Sequence, residues 1–178
     1  MNKILSAILA LCMIVSVTAC SSGNESSVPE EVKGSEDRTM REMTTQELIE
    51  DMGLGINLGN TFESCGNWIN KSSVTNYETA WGSPVITEQM IKGYKDCGFG
   101  VMRLPVAWSN MMDKETYTIN PDYMARVKEV LNWALDSDLY VILNIHYDNG
   151  WFSGFADDKK RDECFKKYEA IWKQLCEE

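Results

Sequence analysis

The chain is short of histidine, of positive charge and of any apolar run long enough to cross a membrane. His146 is the single histidine among 178 residues, so no second imidazole is at hand for a histidine-based metal centre. Cys65, Cys97, Cys164 and Cys176 follow none of the spacings that hold zinc. No glycine-rich phosphate loop is present, which removes the usual signature of a nucleotide or dinucleotide site. Lys and Arg number 17 against 27 Asp and Glu, a net charge of −10. Such a balance argues against nucleic acid or an anionic surface as partner. The longest apolar stretch, residues 4–17, falls short of the ~20 residues of a membrane span.

That stretch follows Lys3 and leads into Val17-Thr18-Ala19-Cys20. Positive charge, a short apolar run and a small residue before a cut site are the features of an export signal over residues 1–20. The Ala19-Cys20 junction is similar to a bacterial lipobox, which implies cleavage before Cys20 and a lipid on its thiol. The chain is then expected at the bacterial cell surface, membrane-anchored; the alternative is an ordinary signal peptide and a secreted product. Residues 21–43 are polar and acidic with almost no large apolar side chains, so they cannot bury enough surface to offset ordering. They read as a flexible acidic tether.

Residues 44–178 carry 13 Lys/Arg and 21 Asp/Glu, a net charge of −8, which is compatible with a neutral polysaccharide. Thr44-Thr45-Gln46-Glu47 predicts a capped entry helix with Leu48, Ile49 and Met52 at helical spacing. Residues 53–59 read as a strand. Thr87 caps a helix that stops at Gly98, and residues 100–105 form the next strand. Asn120-Pro121 starts a helix with Met124, Val127, Leu131 and Ala134 as its apolar stripe. Residues 139–145 are an almost unbroken apolar run, as expected of a parallel strand buried on both faces. Residues 159–178 predict a helix with Phe165, Tyr168, Ile171, Trp172 and Leu175 along one side. Cys164 and Cys176, ~18 Å apart on that helix at ~1.5 Å per residue, cannot pair with each other.

Three βα units in succession predict a parallel sheet with right-handed crossovers. A doubly wound open sheet and part of an eight-stranded barrel both satisfy this order. The long loop over residues 60–86, with Trp68, Tyr77 and Trp81, and the loop carrying Trp151 and Phe152 suit the loop-bearing face of a barrel. Polar residues collect near the strand ends: Asn57 and Asn60 at the first, Arg103 at the second, and Asn144, His146 and Asp148 at the third. Packing alone does not account for polar groups on all three strands.

The segments GINLGNTFES, ETAWGSPVIT, GFGVMRLPVAWSNMM and YVILNIHYDNGW resemble, in order and spacing, the opening half of glycoside hydrolase family 5 and its endoglucanase subgroup. The resemblance covers residue 43 to the end of the chain. It implies the first three βα units of a TIM (β/α)8 barrel, retaining hydrolysis of β-1,4-linked glucans and no cofactor. Its implied partner is a β-glucan such as cellulose, mixed-linkage glucan or xyloglucan. Arg103 corresponds to the arginine that keeps the nucleophilic carboxylate ionised and oriented. His146 corresponds to the histidine that binds a hydroxyl of the sugar at the cleavage point, and Asn60 to an asparagine lining the glycone side. Tyr147 departs from the pattern, in which a second histidine stands there; a tyrosine can still stack on a sugar or hydrogen-bond to it. Trp151 is a candidate stacking platform, whereas Trp81 and Trp108 read as packing residues.

Glu63, Glu78 and Asp148 match no catalytic position of the family. Retaining hydrolysis requires two carboxyl groups roughly 5 Å apart, and the resemblance places both on later strands. The expectation is therefore a truncated barrel that lacks both catalytic glutamates. Its final helix runs into Cys176-Glu177-Glu178 without a stop signal. The competing reading is a non-catalytic glucan-binding lipoprotein built on a half-barrel.

Overall fold

Thr44 opens the first helix through a reciprocal cap. Its hydroxyl accepts from the Glu47 amide at 3.2 Å, and the Glu47 carboxylate accepts from the Thr44 amide at 2.7 Å. Two donors that a helix start leaves open are satisfied together. The computed structural model describes residues 41–178; the expected export signal, Cys20 and residues 21–40 of the tether lie outside them. Helix α1 (Thr45–Met52) leads to β1 (Leu54–Asn57), the short α2 (Thr75–Thr79), α3 (Glu88–Asp96) and β2 (Phe99–Val106). Then follow α4 (Pro121–Asp136), β3 (Tyr140–Ile145) and α5 (Arg161–Glu177), with 3-10 turns at Trp108–Met111 and Asp148–Ala156.

The caps read from sequence operate here. The Thr87 hydroxyl accepts from the Met90 amide, and the Asn120 side chain accepts from the amides of Asp122 and Tyr123. Gly98 takes φ 89° just past α3, a conformation that glycine alone adopts without strain. Gly100 has a different reason to be glycine. A Cβ there would overlap the Met52 carbonyl, because the end of α1 lies directly on β2.

The three strands pair in parallel in the order β1-β2-β3, with Asn57 opposite Arg103 and Arg103 opposite Ile142. One face of this sheet is covered. Met102, Leu104 and Val106 of β2 are buried against Ile91 of α3, Val127, Val130 and Ala134 of α4, and Ile171 of α5. Burial of each of these side chains larger than alanine contributes about 1.5–3 kcal/mol. The other face carries Asn57, Arg103, Ile142 and Asn144, and no helix of the described residues lies over it. A doubly wound sheet has helices on both faces; helices on a single face make an arc of a barrel.

Several elements depart from the sequence reading. β1 is four residues long rather than seven, since the chain leaves the sheet at Asn60 (φ 57°), whose amide turns to Glu63. The loop expected over residues 60–86 contains the short helix α2. On α4 the buried face is Tyr123, Val127, Val130 and Ala134, with Met124 and Leu131 only partly buried. The Tyr123 hydroxyl, donating to the Phe62 and Ala107 carbonyls, draws its ring into the core and turns the stripe. On α5 Cys164 and Ile171 are buried, whereas Phe165 is 56% exposed. β3 is covered on one face instead of both: Ile142 is 45% exposed, because it shares the uncovered face of the sheet with Arg103. All four cysteines of residues 44–178 are free thiols, with Cys65 and Cys164 buried.

The long loop is fixed by one buried ion pair. Glu78, fully buried on α2, accepts from Arg126 Nε at 2.9 Å and Nη2 at 3.0 Å, and from the Ile86 amide at 2.9 Å. Arg126 also donates to the Ile86 carbonyl at 2.6 Å and lies over the Trp133 ring. Nη1 donates to Glu129 at 2.5 Å, so each guanidinium nitrogen and both Glu78 oxygens have a partner, as burial of charge requires.

Candidate active site

Arg103 stands in the middle of β2, not at its end as the sequence reading placed it, and its length carries the guanidinium toward the carboxyl ends of the strands. Nη1 donates to Asn57 Oδ1 at 2.6 Å, and Nη2 lies 3.2 Å from His146 Nδ1. One arginine therefore ties together side chains from all three strands. A guanidinium has only donors, so Nδ1 of His146 must accept. The imidazole proton then sits on Nε2, free to donate to a hydroxyl on the open face. The His146 amide donates to the Val106 carbonyl at 3.0 Å and holds the residue at the end of the ladder. Asn57 is the member of this cluster that sequence reasoning noted as a polar strand end without giving it a role; its registry with Arg103 is visible only once the strands pair.

Asn60 is exposed at the start of the first loop. Its amide donates to Glu63 Oε1 at 2.6 Å and that of Thr61 to Glu63 Oε2 at 3.0 Å. Glu63 is thus the clamp that shapes the turn bearing Asn60. Tyr147 is exposed next to His146, with its ring folded over Gly150. Trp151 is half-buried. Its indole stacks on Phe152 at 4.1 Å between centroids and 19° between planes, and Lys167 Nζ lies 4.6 Å from the ring centre.

Asp148 organises this loop. It is buried and accepts from Trp151 Nε1 at 2.7 Å, from the Ser109 amide at 2.9 Å and from the Ser109 hydroxyl at 2.8 Å. Lys167 Nζ donates to the same Ser109 hydroxyl. Burial pushes the Asp148 carboxyl above its ordinary range, against the pull of the Trp151 and Ser109 hydrogen bonds and the Lys167 charge. Burial lowers the Lys167 ammonium in turn, opposed chiefly by Asp148. The signal for this network in the sequence was the Asp148-to-Trp151 spacing of three, but Ser109 and Lys167 come from distant segments. Asp148, Asn149 and Gly150 all take positive φ (47°, 61° and 74°), which bends the chain sharply after His146.

Glu63, Glu78 and Asp148 are each buried and engaged by donors, and none faces another across the open surface. Trp108 is fully buried in the core, while Trp81 is exposed. No cluster of three or more His, Cys, Asp or Glu among the described residues is placed to hold a metal ion. The arrangement therefore offers a fixed cation and an imidazole donor, suited to orienting a carboxylate and a hydroxyl-rich ligand.

The sequence pattern described as Cellulase (glycosyl hydrolase family 5) matches residues 62–178. The xyloglucan-specific endo-β-1,4-glucanase of Bacteroides ovatus is 40% identical over 139 residues, 76% of this chain and 27% of that protein. Endoglucanase A of Ruminococcus albus is 37% identical over 139 residues, 78% of this chain and 36% of that protein. The chain thus spans about a third or less of the length of these curated relatives. Among solved structures, a broad-specificity GH5-4 endoglucanase of Ruminococcus champanellensis with bound cellotriose is similar at a TM-score of 0.70 and 36% identity, over 77% of this chain and 40% of that one. A family 5 lichenase of Caldicellulosiruptor is similar at 0.69 and 32%, over 78% and 37%. These are TIM barrels, and the three-stranded arc is part of one. The chain belongs to the cellulase family, glycosyl hydrolase family 5.

Proposed function

We propose that this chain supplies the first wall of the active site of a retaining endo-β-1,4-glucanase that cleaves neutral β-glucans. The observation that carries the reading is the Arg103 guanidinium, held between Asn57 and His146 on the uncovered face of the sheet. In this reading Arg103 holds a nucleophilic carboxylate charged and aimed, and His146 Nε2 donates to a hydroxyl of the sugar at the cleavage point. Asn60 and Tyr147 line the glycone side, and Trp151 gives an aromatic edge to the third loop. The acid/base and nucleophilic carboxylates come from strands beyond the three described, so residues 21–178 alone do not turn glucan over. The names of the relatives, a xyloglucan-specific endo-β-1,4-glucanase, a lichenase and an endoglucanase with bound cellotriose, support β-glucan as the substrate class.

The test is hydrolysis of xyloglucan, mixed-linkage β-glucan and carboxymethylcellulose by the product of the natural gene, with the anomer released followed by NMR. Internal cleavage with retention is the expected result; inversion, or no cleavage of any of the three, overturns the proposal. Export and anchoring belong to the same reading. Cys20→Ser is expected to shift the protein from the membrane fraction to the soluble fraction.

A further inference from the structure

We infer that the cleft between the first, second and third loops is a second carbohydrate site, one that holds a neutral β-glucan chain apart from the Arg103–His146 cluster; the substrate class rests on the proposed function. The cleft has a volume of about 430 Å³, within the usual span of small-ligand sites and sufficient for one or two glucosyl units. Asn67 and Lys71 line it from the first loop, Lys114 from the second, Asn149 from the third, and Glu163 and Lys167 from α5. Asn57, Arg103 and His146 take no part in its walls.

Its chemistry matches hydroxyl groups rather than a charge. Three ammonium groups face two lining carboxylates, Asp113 and Glu163, with Asp148 close behind Lys167, so neither an anion nor a cation gains a net attraction. Asp113 is occupied by its own turn, accepting from the amides of Glu115 at 2.9 Å and Thr116 at 2.7 Å. Lys71 and Lys114 make no hydrogen bond or ion pair with another described residue. Glu163 Oε1 already accepts from the Tyr117 hydroxyl at 2.9 Å, so Oε2 is the acceptor that joins the lysine and asparagine donors of the lining, the mixture that sugar hydroxyls satisfy.

A second observation points to a sugar. Trp68 is 65% exposed, an unusual position for the largest aromatic side chain. Its indole lies against Gly66, a residue of the cleft wall: a Cβ at Gly66 would stand 2.5 Å from Trp68 Nε1. An exposed indole thus stands at the Gly66 edge of a cleft whose walls are rich in hydrogen-bonding groups. The axial C–H face of a β-linked glucosyl ring packs on such a plane while its equatorial hydroxyls reach the walls.

Affinity electrophoresis in gels containing xyloglucan tests this, run in the cold to limit cleavage and with every protein in the His146→Ala background so that the Arg103–His146 cluster loses its sugar contact. We expect His146→Ala to remain retarded. Adding Trp68→Ala should weaken binding about 5- to 10-fold, Trp68→Phe should preserve most of it, and Lys71→Ala with Lys114→Ala should weaken it through a change at exposed positions that leaves the indole in place. Retardation absent in the His146→Ala protein, or equal with and without Trp68, overturns the second site. Cleavage by the wild type together with Trp68-independent binding sinks only the second site. Trp68-dependent retardation without any cleavage by the wild type sinks only the enzymatic reading.

Discussion

Arg103 makes two contacts in opposite directions, to Asn57 Oδ1 and to His146 Nδ1. A lysine has one nitrogen on a flexible stem and cannot hold both at once. If the natural gene product is the proposed glucanase, Arg103→Lys in it is therefore expected to lower kcat/KM on β-glucan by about 10²-fold, the order of loss that misplacement of a reacting group brings, with an unchanged thermal melt. Asp148 offers a test by pH. Burial holds its folded pKa above that of a free carboxyl, so between the unfolded and folded pKa the folded state holds a proton that the unfolded chain releases. Its stabilising share is full below the unfolded pKa and is lost as pH rises through the folded one. Urea denaturation of wild type and Asp148→Asn across that range should show a difference in slope, the wild type losing stability with rising pH and the variant lacking that component. Arg103 and His146 were legible in the sequence because their motifs are local. Asn57 as a partner, and Ser109 and Lys167 around Asp148, were not, since they meet only through strand registry and loop packing.

Among the elements, the caps at Thr44, Thr87 and Asn120 were readable because each bond spans only two or three residues. The faces of α4 and α5 were less so. Periodicity marks an apolar stripe, but the Tyr123 hydroxyl bonds decide which part of it points inward. The loop over residues 60–86 takes its shape from Glu78 and Arg126, forty-eight positions apart. Glu78→Gln would leave the Arg126 charge without its buried partner, with only Glu129 to compensate. A destabilisation of about 3 kcal/mol is expected in chemical denaturation, the low end for a broken buried pair. A change within 0.5 kcal/mol would mean that the loop is held by its apolar residues, Tyr77 and Ile86, instead.

On the scale of the whole molecule, the described strands form an arc in which neither outer side has a partner strand among the described residues. Leu54 on β1 and Ile142 on β3 are exposed, and Phe165 and Tyr168 extend an aromatic row along α5 from Phe155. Open strand edges beside apolar surface favour association with other chains. Residues 42–178 produced alone are expected to elute as oligomers in size-exclusion chromatography and to bind an apolar dye. A monomer with one sharp unfolding transition would show that the arc is self-sufficient.

The sequence by itself determined the three βα units, their caps and the polar residues at the strand ends, because propensity, capping and alternation act over a few neighbouring residues. It also carried the family motifs in which Arg103 and His146 stand. The tertiary structure alone decided that the helices of the described residues cover a single face, that Ile142 lies on the uncovered one, and that Arg103 lies between Asn57 and His146. It also built the cleft beside Trp68 from three loops and a helix. Each of these depends on contacts between residues far apart in the chain, whose distances are set when the strands pair and the helices pack.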